Sequence, residues 1–428
     1  MTERSLSEAL RGSRVLVCAG TGGVGKTTIA AALALQGARL GRRTLVITID
    51  PARRLADALG LETLDSKPTP VDLSALLADS DETPGRAALS AMMLDPKPTF
   101  DRLVTRFTRD AETRQRILGN RIYRHLSEAL AGSAEYAAME QVHELLQEED
   151  YDLVVVDTPP ADHALDFLRA PRRLREFLES RLVRTLIHPA MSASRFGARL
   201  FGRAVHRVLG VLERIAGVGF LDDLSEFLMA IDDLSQGFRE RASKVESLLL
   251  GPETGFLLIS GPESRGVRSG LDFLAELDRF RVPLVAVVAN RLRPWPLATA
   301  PAELLGGEHD EALARDEAQL AEALGESPEC TAPALVDAFR EHARVCAGQR
   351  RATEALAEVA RERGIDWVPV AELAGDVDRI EGLAAIGDML ADGGSRTDAE
   401  GATRAPVPAE SAPAESPRDA EHGDADDG

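Results

Sequence analysis

Lysine is almost absent from this sequence, although basic residues are not. Lys26, Lys67, Lys97 and Lys244 are the four lysines among 50 basic residues, and 70 acidic residues give the chain a formal net charge of −20. An acidic surface repels phosphate backbones, so this balance argues against nucleic acid as a partner. Because lysine is so scarce, a lysine inside a motif is not explained by composition alone.

Cysteine and long apolar segments are also scarce. Cys18, Cys330 and Cys346 form no C-x-x-C pair, which is typical of a reducing cytoplasm and offers no cysteine-rich metal site. Cys18 is expected to be a buried core thiol. No run of about eighteen uncharged apolar residues is present, and the first residues lack the apolar segment of a signal peptide. We therefore expect a cytoplasmic protein.

The chain is organised around a glycine-rich loop that follows the apolar run Val15–Ala19. The loop contains, in order, Gly20, Thr21, Gly22, Gly23, Val24, Gly25, Lys26, Thr27 and Thr28, and a helical pattern rich in alanine and leucine follows it. The glycines let backbone N–H groups turn inward around a polyphosphate, and the helix N-terminus favours the same anion. Lys26 is expected to reach the phosphates and Thr27 to bind Mg²⁺. This pattern predicts a P-loop; the alternative is a vestigial loop.

Two carboxylates follow apolar strand patterns. The pattern over 43–49 predicts a strand that leads to Asp50, which makes Asp50 a candidate for chemistry at the carboxyl edge of a sheet. The alternative is that Asp50 caps a helix starting at Ala52. The pattern over 151–156 predicts a buried strand that ends at Asp157, where an aspartate usually supports Mg²⁺. His163 follows in a predicted switch loop, where we expect it to hold the loop's shape rather than transfer protons.

The pattern of strands and helices along the remaining chain predicts an α/β protein with a doubly wound, mainly parallel sheet of the P-loop NTPase type. Further strands are predicted at 256–260, 284–289 and 367–370, with a helix between the first two. Asn290 ends the second of them, where it could read a base edge or form a turn. We expect one domain over 1–390, with helical insertions at about 60–150 and 169–250. Within these, 64–85 is expected to be loop and short helix, 87–149 helical, and 311–363 is also predicted to be helical. The acidic stretch 391–428 is expected to be a disordered tail.

An arginine-rich segment, residues 169–214, lies inside this acidic protein. Arg195, Arg199, Arg203 and Arg207 recur every fourth residue beside an apolar stripe. One interpretation is a binding surface for an acidic partner, a client helix or an anionic membrane. The other is an ordinary amphipathic helix with a solvated arginine face.

Together these motifs resemble the ArsA family of ATPases, which includes arsenite-pump subunits and guided-entry factors. The resemblance rests on the P-loop, Asp50-Pro51-Ala52, the segment from Asp157 to Leu168, and Val288-Ala289-Asn290. Within the family the chain looks closest to actinobacterial "anion-transporting ATPase" paralogues, judged by Met93-Leu94-Asp95, 131–136 and 138–140. The resemblance implies ATP and Mg²⁺ as cofactors. It also implies that Asp50 and Lys26 are catalytic, that Thr27 and Asp157 hold Mg²⁺, and that Asn290 and Pro369 surround adenine.

The chain departs from the family pattern at Thr21, where family loops carry a lysine that reaches the nucleotide of a partner subunit. Threonine cannot supply that charge, and a cation delivered to a transferring phosphoryl group is worth roughly 10³–10⁵ in rate. We therefore expect a weak ATPase as a homodimer, completed in a heterodimer by a paralogous subunit that retains the lysine. An arginine elsewhere is the alternative source of charge.

Two further departures narrow the function. The family's C-x-x-C pair, which holds zinc between subunits of guided-entry factors, is missing, and so are the clustered thiolates that a metalloid site needs. The sequence therefore predicts a dimeric ATP-dependent switch acting on an unknown client. The alternatives are a non-hydrolysing nucleotide-binding scaffold and a positioning ATPase peripheral to the membrane.

Overall fold

One sheet of eight strands lies at the centre of the part of the chain that the computed structural model describes. That part comprises residues 5–50, 53–77, 88–108, 110–121, 123–124, 133–148, 151–159, 161–179, 220–295, 297, 300–305, 331–373, 375, 377 and 379–392. In chain order the strands are β1 (Val15–Gly20), β2 (Arg43–Thr48), β3 (Thr69–Pro70), β4 (Ala88–Met93), β5 (Leu153–Asp157), β6 (Thr254–Ser260), β7 (Leu284–Leu292) and β8 (Asp366–Ala371).

The strand order is β3-β4-β2-β5-β1-β6-β7-β8, and every neighbouring pair is parallel except β3 and β4. Every residue of β1, β5 and β6 is buried. Runs of this kind, without polar alternation, occur where helices cover both faces of a parallel sheet. The predicted doubly wound α/β fold is confirmed.

Twelve helices are described around this sheet. In chain order they are α1 (Leu6–Gly12), α2 (Lys26–Arg39), α3 (Arg54–Ala58), α4 (Ser74–Leu77), α5 (Pro96–Phe107), α6 (Ala111–Gly119), α7 (Ser133–Gln147), α8 (Ala161–Glu179), α9 (Phe220–Leu249), α10 (Ser264–Phe280), α11 (Ala332–Glu362) and α12 (Ile380–Asp392), with a 3₁₀ turn at Glu303–Leu305. None of the described helices is long and apolar enough to cross a bilayer.

Alternate residues of β1 face two separate hydrophobic cores. Leu16 and Cys18 belong to the core that contains α2 and α12. Val15 and Val17 belong to the opposite core, which contains parts of α7, α10 and α11. Cys18 is completely buried, as predicted, and burial raises the pKa of its thiol. The two cores hold the carboxyl end of β1 rigidly at the middle of the sheet.

The sequence prediction of helix over 87–149 is wrong at its start, because Ala88–Met93 forms β4. This strand pairs in parallel with all of β2, from Arg43 opposite Ala88 to Thr48 opposite Met93. Its residues are alanine, leucine, serine and methionine, whose local preference is at best neutral for strands. Backbone pairing with β2 and burial of Leu89 and Ala91 outweigh that preference.

Several predictions fall outside the described residues. These are the arginine stripe from Arg195 to Arg207, residues 393–428 of the tail predicted over 391–428, and the first part of the helix expected over 311–363. Inside the described part, ion pairs of the arginine-rich segment join Arg169 to Glu276 at 3.1 Å, Arg172 to Glu176 at 2.7 Å, and Arg175 to Glu246 at 2.7 Å. Two of these pairs tie α8 to α10 and α9.

A buried polar network joins α7 to α9. The Nε of Arg241 donates to the Oε1 of Glu140 at 2.5 Å, and the hydroxyl of Tyr136 donates to the other carboxylate oxygen at 3.4 Å. His143 is buried beside this network, and within the described residues its Nδ1 has no hydrogen-bond partner. Burial and the charges of Arg241, Lys244 and Arg106 lower the pKa of His143 to about 4.

The depressed pKa of His143 predicts a loss of stability in mild acid. The imidazole of the unfolded chain titrates near pH 6.5, whereas that of the folded protein stays neutral down to about pH 4. Protonation between these two pH values therefore favours the unfolded chain, and stability is lost as the pH falls from 6.5 towards 4. At pH 5 we expect the free energy of unfolding to lose roughly 1–2 kcal/mol through this group. Urea unfolding at pH 7.5 and pH 5.0 should show a smaller loss for His143→Gln than for the wild type. Equal losses would contradict this prediction.

Candidate functional site

The glycine-rich loop connects β1 to α2, and its shape depends on particular glycines. Gly23 and Gly25 have φ of 80° and 88°, in the left-handed region that side chains disfavour. A Cβ on Gly20 would lie 2.1 Å from the carbonyl oxygen of Ile259 in β6. The loop therefore starts packed against a neighbouring strand and turns sharply into α2, as the sequence predicted.

The N-terminus of α2 lies at the end of this loop. Gly25 is its N-cap and has no side chain to accept hydrogen bonds from the first N–H groups of α2, so these groups are not satisfied by a cap. Unsatisfied N–H groups and the helix dipole together favour an anion at this point. The geometry fits the phosphates of a nucleotide.

Lys26 is the first residue of α2 and is only 8% exposed. Its Nζ donates to the carbonyl oxygen of Thr21 at 2.8 Å, so the side chain folds back along the loop. Burial lowers the pKa of Lys26, and the nearby charges of Asp157 and Asp50 oppose that shift. The ammonium group is therefore held at the loop by the Thr21 carbonyl, with the charges of two carboxylates nearby.

Asp157 lies at the carboxyl end of β5, between β1 and β2. In the sheet it is opposite Cys18 on one side and Thr48 on the other. Its Oδ2 accepts hydrogen bonds from the hydroxyls of Thr27 at 2.8 Å and Thr48 at 3.0 Å. Burial raises the pKa of this carboxyl to about 6, although both hydroxyls and Lys26 lower it.

The other oxygen of Asp157 is suited to a cation. Oδ1 is buried and has no hydrogen-bond partner within the described residues. A hydroxyl and a carboxylate are the oxygen donors that Mg²⁺ prefers, and Mg²⁺ commonly keeps several waters besides one or two such groups. The donor groups of Thr27 and Asp157 therefore fit Mg²⁺, and their roles as its ligands remain predictions.

Asp50 lies two residues beyond the end of β2. Its N–H donates to the hydroxyl of Thr48 at 3.2 Å, and its carboxylate pairs with Arg54 at 3.3 Å. Its charge acts on the pKa of both Lys26 and Asp157, so the three groups share one neighbourhood. The alternative interpretation, that Asp50 caps a helix starting at Ala52, is wrong because α3 begins at Arg54 with Arg53 as its N-cap.

Asn290, near the end of β7, contacts the P-loop. Its Nδ2 donates to the carbonyl oxygen of Val24 at 2.8 Å, and a Cβ on Gly25 would lie 2.4 Å from the same nitrogen. Pro369 is in β8, opposite Ala289, the residue before Asn290. Both predicted base-binding residues are thus next to each other in the sheet, and contact with adenine remains a prediction for each.

The predicted switch loop after Asp157 is shorter than expected. The hydroxyl of Thr158 donates to the carbonyl oxygen of Cys18 at 2.7 Å, which ties the loop to β1. α8 then begins at Ala161, so His163 lies in a helix, and its predicted position in a loop is wrong. The reason is local: Pro160 precedes the helix in the sequence, and proline is favoured at a helix start.

Two residues of the site were not predicted from the sequence. Thr48 donates to Asp157, and Arg291 donates through Nη1 to the carbonyl oxygen of Gly23 at 2.9 Å. Neither has a local signal, because a threonine that ends a strand and an arginine that follows one are both common. Only the register of β2 with β5, and the packing of β7 against the loop, bring them to the site.

Comparisons with known proteins agree with this geometry. The ArsA ATPase family, described as anion-transporting ATPase, matches residues 13–300. ATPase get3 of Aspergillus terreus is 26% identical over 283 residues, which cover 65% of this chain and 73% of the relative. An uncharacterized protein of Streptomyces coelicolor is 33% identical over 285 residues, which cover 66% of this chain and 63% of the relative.

The family match begins just before β1, continues past β7, and includes the P-loop, Asp50, Asp157 and Asn290. It thus covers the described groups that surround the P-loop. The chain belongs to the ArsA family of ATPases and is an enzyme that hydrolyses ATP with Mg²⁺.

Proposed function

We propose that this chain is a nucleotide-dependent switch whose ATP site is completed by a second, paralogous subunit. The observation that carries the proposal is the state of the loop's tip. Gly22 and Gly23 are exposed there, and position 21 carries a neutral side chain. A phosphate chain bound at this tip is open to a residue from another polypeptide, and Thr21 supplies no charge of its own.

Lys26 does not replace the missing cation. Lys26 is buried and donates to the Thr21 carbonyl, so its ammonium group is not exposed at the tip of the loop. A cation from a partner would approach the exposed tip of the loop and stabilise the charge that develops as the phosphoryl group transfers. The partner's lysine would complete this chain's site, whereas the partner's own site would receive no lysine from Thr21.

Each residue of the site has a separate task in the proposed reaction. The N–H groups of the loop and Lys26 bind and orient the phosphates of ATP. Thr27 and Asp157 would hold Mg²⁺, which neutralises phosphate charge when it is bound. Asp50 pairs with Arg54 close to Lys26 and Asp157, and its carboxylate orients the attacking water and polarises it towards the terminal phosphorus.

The helices after Asp157 provide a route from the nucleotide to a client. β5 leads within four residues into α8, which is tied to α10 by Arg169 and Glu276 and to α9 by Arg175 and Glu246. A shift of the Thr158 segment would therefore move the helices on that side of the sheet. The client is proposed to bind this helical region.

Steady-state hydrolysis tests the proposal directly. The chain would be assayed alone, then mixed with a paralogue of the same genome that carries lysine at the position of Thr21. We expect slow turnover alone and co-purification with the paralogue, with a rate well above the sum of the separate rates. A matched mixture in which the paralogue's lysine is replaced by threonine should lose the gain. Fast turnover by the chain alone would overturn the proposal.

The neutral residue at position 21 also favours a second candidate, a scaffold that binds ATP without turnover and stabilises a catalytic paralogue. In that case the mixture would hydrolyse ATP only at the partner's site, and substitutions in this chain's site would not change the rate. A third candidate, a positioning ATPase on an anionic membrane, depends on the arginine stripe. Sedimentation with anionic and neutral vesicles tests it, and indifference to lipid charge would exclude it.

A further inference from the structure

The carboxyl end of β7 contains a bulge next to the P-loop. Between Ala289 and Leu292, β7 advances three residues while β8 advances two, from Pro369 to Ala371. Asn290 and Arg291 are the two residues inside this irregularity. A bulge of this kind interrupts the alternation of side chains and redirects them. Here it lets two consecutive side chains reach the same loop.

The two side chains hold consecutive carbonyl groups of the loop. Asn290 donates to the carbonyl of Val24 at 2.8 Å, and Arg291 donates to that of Gly23 at 2.9 Å. The Nε of Arg291 also lies 3.9 Å from the position that a Cβ on Gly25 would occupy. Asn290 is buried, whereas Arg291 is exposed at the rim.

The backbone of Arg291 is in an unfavourable conformation. Its φ is 62°, in the left-handed region that a long side chain rarely adopts. Glycine would adopt this conformation without cost. An arginine here therefore indicates that an interaction of its side chain offsets the cost of the backbone conformation. The hydrogen bond to Gly23 is the contact that the side chain makes with the loop.

We propose that Arg291 is a positioning residue for the nucleotide, acting through the Gly23 carbonyl. The Gly23 carbonyl and the Val24 N–H belong to one planar peptide and point in opposite directions, so a bond that holds the carbonyl also fixes the direction of that N–H group. The guanidinium also adds positive charge at the exposed rim of the loop. Arg291 therefore strengthens the binding of the polyphosphate. The inference rests on the proposed nucleotide site and adds a residue to it.

Arg291→Gly separates this role from a structural one. Glycine relieves the backbone strain and removes the guanidinium, so the thermal midpoint should stay the same or rise. The dissociation constant for ATP with Mg²⁺, measured by calorimetry, should rise about tenfold, as expected for loss of a charged hydrogen bond that orders the site. In assays the KM should rise with little change in kcat. ATP affinity equal to that of the wild type would overturn the inference.

Arg281→Gly is the matched control. Arg281 is also an exposed arginine with positive φ, 54°, and it ends α10 at the opposite end of β7. Its replacement should relieve the same kind of strain and leave ATP affinity unchanged. An equal loss of affinity in both glycine variants would show a general effect of the substitution and would overturn the inference.

Two variants that keep a side chain at position 291 cover the case in which glycine disturbs the fold. Arg291→Lys retains charge and a donor, whereas Arg291→Gln is neutral, and both keep the backbone strain. We expect lysine to bind ATP more tightly than glutamine does, and equal affinities would overturn the inference. Lys26→Ala, measured in parallel, tests the nucleotide site itself: if it binds ATP like the wild type, the proposed function fails, whatever Arg291 does.

Discussion

Thr21→Lys should raise ATP hydrolysis by the purified chain by on the order of 10³-fold. The substitution changes a side chain at the loop's exposed tip and leaves the Thr21 carbonyl, which accepts from Lys26 at 2.8 Å, in the backbone. The new ammonium group would reach the phosphates bound by a second copy of the chain. There it would stabilise the charge that develops on the transferring phosphoryl group. The measurement is kcat at saturating ATP and Mg²⁺.

The concentration dependence of that gain shows where the lysine acts. A charge supplied by a second copy requires association, so specific activity should rise with protein concentration and then level off. Thr21→Gln, which has a neutral side chain, is the control and should stay at the wild-type rate. A gain that is independent of concentration would place the lysine in its own subunit's site and contradict the proposed completion by a partner.

Asp50→Asn should lower kcat by on the order of 10³, because an amide cannot polarise the attacking water. The rate would be measured in the complex with the paralogue or in the Thr21→Lys variant, where turnover is fast enough to show the loss. ATP affinity should be unchanged or slightly tighter, because the substitution removes a negative charge that lies near Lys26 in the phosphate site. Hydrolysis and binding are therefore expected to separate.

Asp57→Asn is the control for this substitution. Asp57 is an exposed carboxylate on α3, the helix that follows Asp50, and it belongs to no group of the site. Its replacement should leave kcat and KM unchanged. A wild-type rate for Asp50→Asn would remove Asp50 from the reaction. No measurable turnover by this chain's site in any complex would favour the scaffold.

Sequence alone predicted the P-loop and the strands that flank it, because their constraints are local. A loop that must adopt positive φ at Gly23 and Gly25 needs glycine at those positions, whatever surrounds it. A strand buried on both faces needs a continuous apolar run, as in Val154-Val155-Val156, and its end shows where the carboxylate of Asp157 will lie. These features identified the nucleotide site and the doubly wound fold.

The tertiary structure determined those features of the fold that depend on residues distant in the sequence. Ala88–Met93 forms a strand only because β2 offers it a full row of backbone partners. Asp50 is excluded as a cap of a helix at Ala52 because α3 begins two residues later than expected.

Arg291 is the clearest case of the difference. Its place at the loop requires a bulge in β7, a positive φ that no local motif signals, and a carbonyl 268 residues earlier in the chain. Local sequence determines which backbone conformations a segment can adopt at low cost. The side chains that meet around a ligand are set by strand register and packing, which join parts of the chain that carry no information about each other locally.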